Sequence, residues 1–364
     1  MAAAPLEAGI RARIAAQGPI SVADYMALCL ADPRHGYYMT RDPFGARADF
    51  TTAPEISQMF GELIGVWTAA VWQQMGAPKG VRLVELGPGR GTLMSDALRA
   101  AKVMSGFLDA ASVHLVEISP ALTAKQRETL RGAAAPVSWH ASLDAVPEGP
   151  AIIVANEFFD ALPVHQAVKT ARGWRERRVG LDGEKLIFTP GEAAIDLDSR
   201  LPPSARDAPD GAIFEWRDDD VARMLGKRLA QQGGAALVID YGHAQSAAGD
   251  TLQALGRHAY ADPLATPGEF DLTAHVDFEA LARAATSAGA AAFGPLTQGD
   301  LLRRLGIETR AGKLKAKASG DAAGRIDAAL ARLTGAGRAD MGSLFKAVAL
   351  AHPALGAPPP FEPQ

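Results

Sequence analysis

The run Glu85-Leu86-Gly87-Pro88-Gly89-Arg90-Gly91 ends an apolar stretch that begins at Val81 with an acid and three glycines at alternate positions. Glycine reaches positive φ without a Cβ clash and lets a ligand lie against the backbone, so a strand running straight into such residues reads as a binding turn. A dinucleotide fingerprint, G-x-G-x-x-G/A, would need glycine or alanine at position 92. Thr92 stands there, and Gly87, Gly89 and Gly91 make G-x-G-x-G instead. A second acid, Glu117, closes His114-Leu115-Val116-Glu117. A carboxylate can accept two hydrogen bonds at once, and at the end of the second strand of a nucleotide-binding sheet it takes the ribose hydroxyls. A third group, Asn156-Glu157-Phe158-Phe159-Asp160, sets two carboxylates three positions apart around two aromatic rings, and His275 adds a side chain able to orient a carboxylate or an acceptor.

These residues act together only if strand ends converge. From residue 81 apolar strands alternate with helices: Val81–Leu86, a helix near Leu93–Ala101, His114–Glu117, a helix near Pro120–Leu130, and Ile152–Ala155. The pattern predicts a parallel sheet covered on both faces, with a ligand crevice at the strand ends. Residues 167–230 interrupt the rhythm with Trp174–Val179 and Lys185–Thr189, joined as a hairpin across Asp182-Gly183, and with the Pro-rich stretch Leu201–Asp210. It resumes with Ala235–Asp240, whose following Asp240-Tyr241-Gly242-His243 reads as either a pocket wall or a turn. A helix near Phe278–Ala288, a basic helical segment at about 297–338 and a closing strand Leu344–Leu350 complete the pattern.

Upstream, Leu6, Ile10 and Ile14, then Val22, Tyr25, Met26 and Leu28, predict two short helices broken at Gly18-Pro19, with Ser21 and Asp24 capping the second. Asp32–Phe50 reads as an ordered loop. Thr52-Ala53-Pro54-Glu55 has capping-box spacing and predicts a long helix burying Ile56, Met59, Phe60, Leu63, Ile64, Trp67, Ala70 and Val71. The expected organisation is an N-terminal extension over 1–50, a main domain over 51–352 with an insertion at about 167–230, and a loose Pro-rich tail over 353–364.

Composition narrows the function classes. Hydrophobic residues make up 48% of the 364 and charged residues 21%, the balance of a globular enzyme. A net charge of -4 makes no case for nucleic acid as a partner. No stretch approaches the roughly 20 apolar residues of a membrane span. Cys29 has no intramolecular disulfide partner and reads as a small buried hydrophobe, the histidines lack metal-site spacing, and no metal is expected. Met1–Ile20 lacks both the continuous apolar centre of a signal peptide and the Arg/Ser richness of a transit peptide, so a cytoplasmic setting is the expectation.

The glycine turn resembles the first motif of class I methyltransferases, E/D-x-G-x-G-x-G. The resemblance implies an α/β Rossmann-like seven-stranded sheet and S-adenosyl-L-methionine as cofactor, with Glu85 holding its cationic methionine end. Several segments together resemble the MidA-like methyltransferase family: Asp32–Tyr38, Phe50–Glu62, the turn, Asn156–Val164 and Asp271–Phe278. They extend over roughly residues 20–350; Phe44–Phe50 departs from the pattern, with Ala46 and Arg47 where glycine and small polar residues are usual. Mitochondrial members of that family assist assembly of respiratory complex I and are associated with arginine methylation of one of its subunits. The resemblance therefore implies a protein arginine methyltransferase acting on a complex I subunit.

Within that frame, Ser142 and Leu143 fall where the third strand of such sheets meets the adenine, Asn156 joins the cofactor set, and the helix start at Thr52 could meet the cofactor carboxylate through its N–H groups. Glu157 and Asp160 could hold a guanidinium by paired hydrogen bonds while Phe158 and Phe159 exclude water, with His275 as a third catalytic candidate. The basic residues Arg303, Arg304, Arg310, Lys313, Lys315 and Lys317 read as a solvated helix face. Two alternatives stay open: a small-molecule methyltransferase, and an assembly protein that keeps the fold but binds without chemistry.

Overall fold

The computed structural model describes residues 5–40, 52–256, 259–337 and 340–362. The divergent segment Phe44–Phe50 lies outside them. Seven strands form the body of the main sheet, with the two-residue strand Val276–Asp277 pairing beside the end of the fifth: β1 (Val81–Leu86), β2 (Ala111–Val116), β3 (Val137–His140), β4 (Ala151–Asn156), β5 (Gly234–His243), β6 (Ala291–Thr297) and β7 (Phe345–Ala351). Their order is β6-β7-β5-β4-β1-β2-β3, and β7 alone runs antiparallel to its neighbours. Leu83, Ile152 and Leu237 face one core layer with helices Gln58–Gln74 and Thr92–Ala101; the adjacent Val84, Ile153 and Val238 face the other, with helices Asp220–Gln232 and Phe278–Ser287. Successive strand residues point to opposite faces, so burial on both sides requires the continuous apolar runs seen in the sequence.

From β1 the chain steps outward to β2 and β3, then returns to β4 and β5 on the other side. Strand order thus reverses between β1 and β4, and the carboxyl ends of those two strands open the crevice expected at a switch point. Helices Gln58–Gln74 and Thr92–Ala101 cross there with backbones in contact: a Cβ on Gly65 would lie 2.3 Å from the Ala97 carbonyl oxygen.

A second, five-stranded antiparallel sheet joins Val164–Thr170, Gly173–Asp182, Lys185–Ala194 and Ile213–Arg217 to the N-terminal strand Ile20–Ser21, which pairs Ile20 with Val179. Helices Pro5–Gln17 and Val22–Ala31 bury Ile10, Ile14, Tyr25 and Met26 against Val164, Val179 and Leu272. The seven-stranded sheet, the helical extension and the inserted strands anticipated from the sequence are all present, and the extension and the insertion share one core. Helix Asp220–Gln232, placed within the insertion by its residue numbers, instead packs Leu225 and Leu229 on the main sheet.

Two local expectations change. Thr52 makes no side-chain cap; Ala53–Ile56 is a single turn, and Ser57 caps the long helix by accepting from the Met59 N–H at 3.2 Å. The Pro-rich tail is docked as far as it is described, because Phe361 is buried in the core and Gln74 donates to the Leu355 and Ala357 carbonyls at 2.9 and 3.0 Å.

Candidate functional site

At the end of β1, Gly87, Gly89 and Gly91 adopt φ of 60°, 52° and 80°, and Gly91 caps helix Thr92–Ala101. A Cβ on Gly87 would come within 2.8 Å of the Phe158 ring, so this turn and the loop after β4 meet in van der Waals contact. Glu85 is 3% exposed, and burial pushes its carboxyl up to about 8. Glu85 Oε2 and Asn156 Oδ1 are both buried without a hydrogen-bond partner. Both residues line a cavity of about 40 Å³ together with Thr52, Glu55, Gly87, Gly89 and Glu157. Two orphaned acceptors at one cavity need donors, and an ammonium group supplies them with its charge. The residues present therefore fit the methionine end of S-adenosyl-L-methionine.

A larger adjoining cavity of about 270 Å³ shares Thr52, Gly87, Gly89 and Glu157 with the first. Glu117 lines it, its Oε1 accepting from the Ser119 N–H at 2.8 Å, and Ile118, also in the lining, is 56% exposed. Ser142 and Leu143 line neither cavity: Ser142 is exposed, and Leu143 is buried with Val84 and Val146 in the core. The helix-start N–H after Thr52 is not free for a carboxylate ligand either, since Ala53 donates it to Glu157 Oε1 at 3.1 Å.

The far wall of the larger cavity carries Glu157, Asp160, Tyr241 and Asp271. Glu157 has φ +49°, a left-handed backbone rare for a side chain with a Cβ, which places it between the two cavities. Burial pushes its carboxyl up to about 8, and the neighbouring Asp160 adds to the shift. Asp160 is 6% exposed with its Oδ1 unpartnered, and burial raises its pKa as well. The loop bearing these acids is gripped from both sides. Asp240, fully buried, accepts the N–H groups of Phe158, Phe159 and Asp160 on Oδ2 at 3.2, 2.9 and 3.1 Å. Arg217 donates to the carbonyls of Asp160, Leu162, Ala274 and His275 at 2.6–3.2 Å. Tyr38, from the N-terminal extension, donates its hydroxyl to Asp271 Oδ1 at 2.8 Å.

His275 is the clearest departure from the sequence expectation. Its ring packs edge-on against Tyr241 at 5.6 Å between centroids and lines a separate cavity with His243, Arg217 and Asp277; its side chain does not reach the carboxylate-lined wall. The basic segment is largely occupied by internal partners: Arg310 with Glu62 at 2.7 Å, Lys315 with Asp327 at 2.6 Å and Arg304 with Glu362 at 3.2 Å. Sequence reasoning gave no site role to Tyr38, Glu55, Arg217 or Asp271. Tyr38 and Asp271 fall in segments that carry the family resemblance, and Glu55 read as a capping residue; its Oε1 instead accepts from Thr92 Oγ1 at 2.5 Å beside the turn.

Residues 63–296 match the family model described as S-adenosyl-L-methionine-dependent methyltransferase. The mouse mitochondrial protein arginine methyltransferase NDUFAF7 is 42% identical over 329 residues, which cover 82% of this chain and 73% of that protein. Its Drosophila melanogaster homolog is 37% identical, covering 94% and 83%. The crystal structure of a Burkholderia thailandensis protein bound to S-adenosyl-homocysteine superposes with TM-score 0.84 at 34% identity, over 95% of this chain and 92% of that one. The relatives named mitochondrial overturn the cytoplasmic expectation. That expectation rested on the lone cysteine, the lack of an apolar span and the pattern of Met1–Ile20; a cellular address is a signal read by a receptor, which the composition and fold of a domain do not encode.

Proposed function

This chain belongs to the S-adenosyl-L-methionine-dependent methyltransferases, and from that premise we propose that it methylates the guanidinium of an arginine in a partner protein. One observation carries the choice of acceptor. The cavity running from the glycine turn is lined by Glu117, Glu157, Asp160 and Asp271, and among the described residues its lining holds no lysine, arginine or histidine. Such a wall favours a cationic acceptor and disfavours an anionic one. The names of the curated relatives support the same reading, and the resemblance to the MidA-like family points to a respiratory complex I subunit met during assembly.

When bound, the cofactor supplies a methyl group on a sulfonium, which passes to a guanidinium nitrogen as the N–C bond forms and the S–C bond breaks. Glu85 and Asn156 hold the ammonium end, and Glu117 takes the ribose. Glu157 and Asp160 fix the plane and rotation of the guanidinium, and Phe158 in the cavity lining keeps water from the reacting atoms, while Phe159, expected to share that role, is committed to the core. Alignment of this kind can supply on the order of 7–11 kcal/mol of the barrier reduction. Arginine arrives protonated and its methylated product is again a cation, so one proton must leave. Burial and Asp160 push the Glu157 carboxyl up to about 8, an arriving guanidinium favours its ionised form, and that carboxylate is placed to accept the proton.

The test compares complex I subunits from cells with and without this gene by mass spectrometry, alongside labelled methyl transfer to the corresponding peptide by purified protein. One methylarginine should vanish in the deletion strain and return with the wild-type chain. Glu157→Gln should fail to restore it while binding cofactor normally. Identical arginine methylation in both strains, with no transfer in vitro, would remove the reading.

A further inference from the structure

We infer that Gln126 is a positioning residue for the cofactor: its side chain ties the Glu117 carboxylate to the glycine turn, so that the ribose contact and the turn are held as one unit. Gln126 lies on helix Pro120–Thr129 and is fully buried. Its Nε2 donates to the Gly89 carbonyl at 2.8 Å and to Glu117 Oε2 at 3.0 Å, while its Oε1 accepts from Trp139 Nε1 at 3.0 Å. The indole N–H can only donate, so the amide oxygen must face Trp139 and the amide nitrogen must face the two acceptors. No flipped arrangement satisfies all three contacts. One side chain thus joins the turn after β1, the acid after β2 and the indole on β3.

The contact also sets what Glu117 has left to offer. Ser119 N–H occupies one site on Oε1 and Gln126 one site on Oε2. The Ile118 N–H also bonds this carboxylate, so the lone pairs that these three donors leave over are the ones a ribose hydroxyl meets. Without the amide, Glu117 loses a donor that favours its charged form against burial and sets its rotation, and the Gly89 carbonyl loses its partner. This inference concerns the cofactor alone and stands apart from the choice of acceptor.

The experiment is calorimetric titration of the full chain with S-adenosylhomocysteine and with its 2′-deoxy analogue. Gln126→Met keeps length and bulk while deleting the amide. A lost hydrogen bond to a charged group predicts a Kd for S-adenosylhomocysteine 10- to 100-fold higher. The wild-type chain should bind the 2′-deoxy analogue more weakly than S-adenosylhomocysteine, and Gln126→Met should shrink that preference, because the two losses share one carboxylate. Gln126→Glu, which sets an acceptor against Glu117 and the Gly89 carbonyl, should bind more weakly still at pH 8 and recover as the pH falls. Should Gln126→Met not fold, judged by circular dichroism and Tm without ligand, Trp139→Phe frees the amide from its anchor and is read in the same titrations. An unchanged Kd in a folded variant, or an undiminished preference for the 2′-hydroxyl, would overturn the inference.

Discussion

Glu85 is buried at the cofactor turn with one oxygen unpartnered and its carboxyl pushed up to about 8. At pH 7 the ligand-free protein therefore holds this carboxyl mostly protonated, and an arriving ammonium favours the ionised form. Cofactor binding should release a proton, seen in calorimetry as a binding enthalpy that varies with the ionisation enthalpy of the buffer. Glu85→Gln should weaken binding about 10- to 100-fold and reduce that buffer dependence; a Gln variant with the same affinity and the same proton release would show that Glu85 does not face the cation. The sequence exposed Glu85, Gly87, Gly89, Gly91, Glu117, Asn156, Glu157 and Asp160 because each lies in a short motif at a strand end. Tyr38, Arg217 and Asp271 could not be found that way. Their partners lie more than 50 positions distant in sequence, and no spacing rule spans that separation.

At the scale of elements, the acceptor loop depends on residues from other strands. Glu157 is held in a left-handed conformation, which costs about 1–3 kcal/mol and persists only where its surroundings over-determine it. Asp240 on the loop N–H groups and Arg217 on its carbonyls provide that determination. Asp240→Asn and Arg217→Met should each lower turnover about 10- to 100-fold, with cofactor Kd within about twofold, because small misplacements of aligned groups are expensive. Equal losses in turnover and cofactor binding would indicate general unfolding instead. Helix contacts give a second test. Gly65→Ala forces a Cβ to 2.3 Å from the Ala97 carbonyl and should cost about 1–3 kcal/mol in urea unfolding. Gly9→Ala, in helix Pro5–Gln17 with open space around its Cβ position, should be neutral or stabilise by up to about 1 kcal/mol. The contact between Gln58–Gln74 and Thr92–Ala101 was not legible, because two glycines in an apolar helix do not say which backbone they meet.

Across the whole molecule, buried titratable groups set opposite pH limits. His114 is 5% exposed, with its Nδ1 2.9 Å from His140 Nε2, and burial, reinforced by His140, holds its pKa down to about 4. The unfolded chain, with histidine near 6.5, takes up that proton first, so this contribution to stability is present above about 6.5 and is lost as the pH falls toward 4. Glu85 and Glu157, near 8 in the fold against about 4.3 unfolded, act in the other direction. Their contribution is present below about 4.3 and is lost as the pH rises to about 8. Because two carboxyls outweigh one histidine, urea midpoints of the ligand-free protein should fall as the pH rises from about 4.3 to about 8, and saturating S-adenosylhomocysteine should flatten this alkaline limb by bringing a cation to Glu85. An alkaline limb unmoved by ligand would contradict the placement of that cation.

The sequence by itself determined the sheet, its crevice and the donor chemistry, because alternating burial and a turn that needs glycine both leave their mark within a few neighbouring residues. Only the tertiary structure decided what closes the site. Helix Val22–Ala31 and Tyr38 reach it because strand Ile20–Ser21 pairs with the inserted sheet, and Gln126, Asp240 and Arg217 act through backbone groups far away in the chain. It also set His275 and Leu143 apart from the two cavities at the glycine turn, His275 lining a separate one beyond Tyr241 and Leu143 committed to the core. Local propensity acts over a turn or two; the direction a side chain faces is set by which elements pack against one another, and that follows from burial summed over the whole chain.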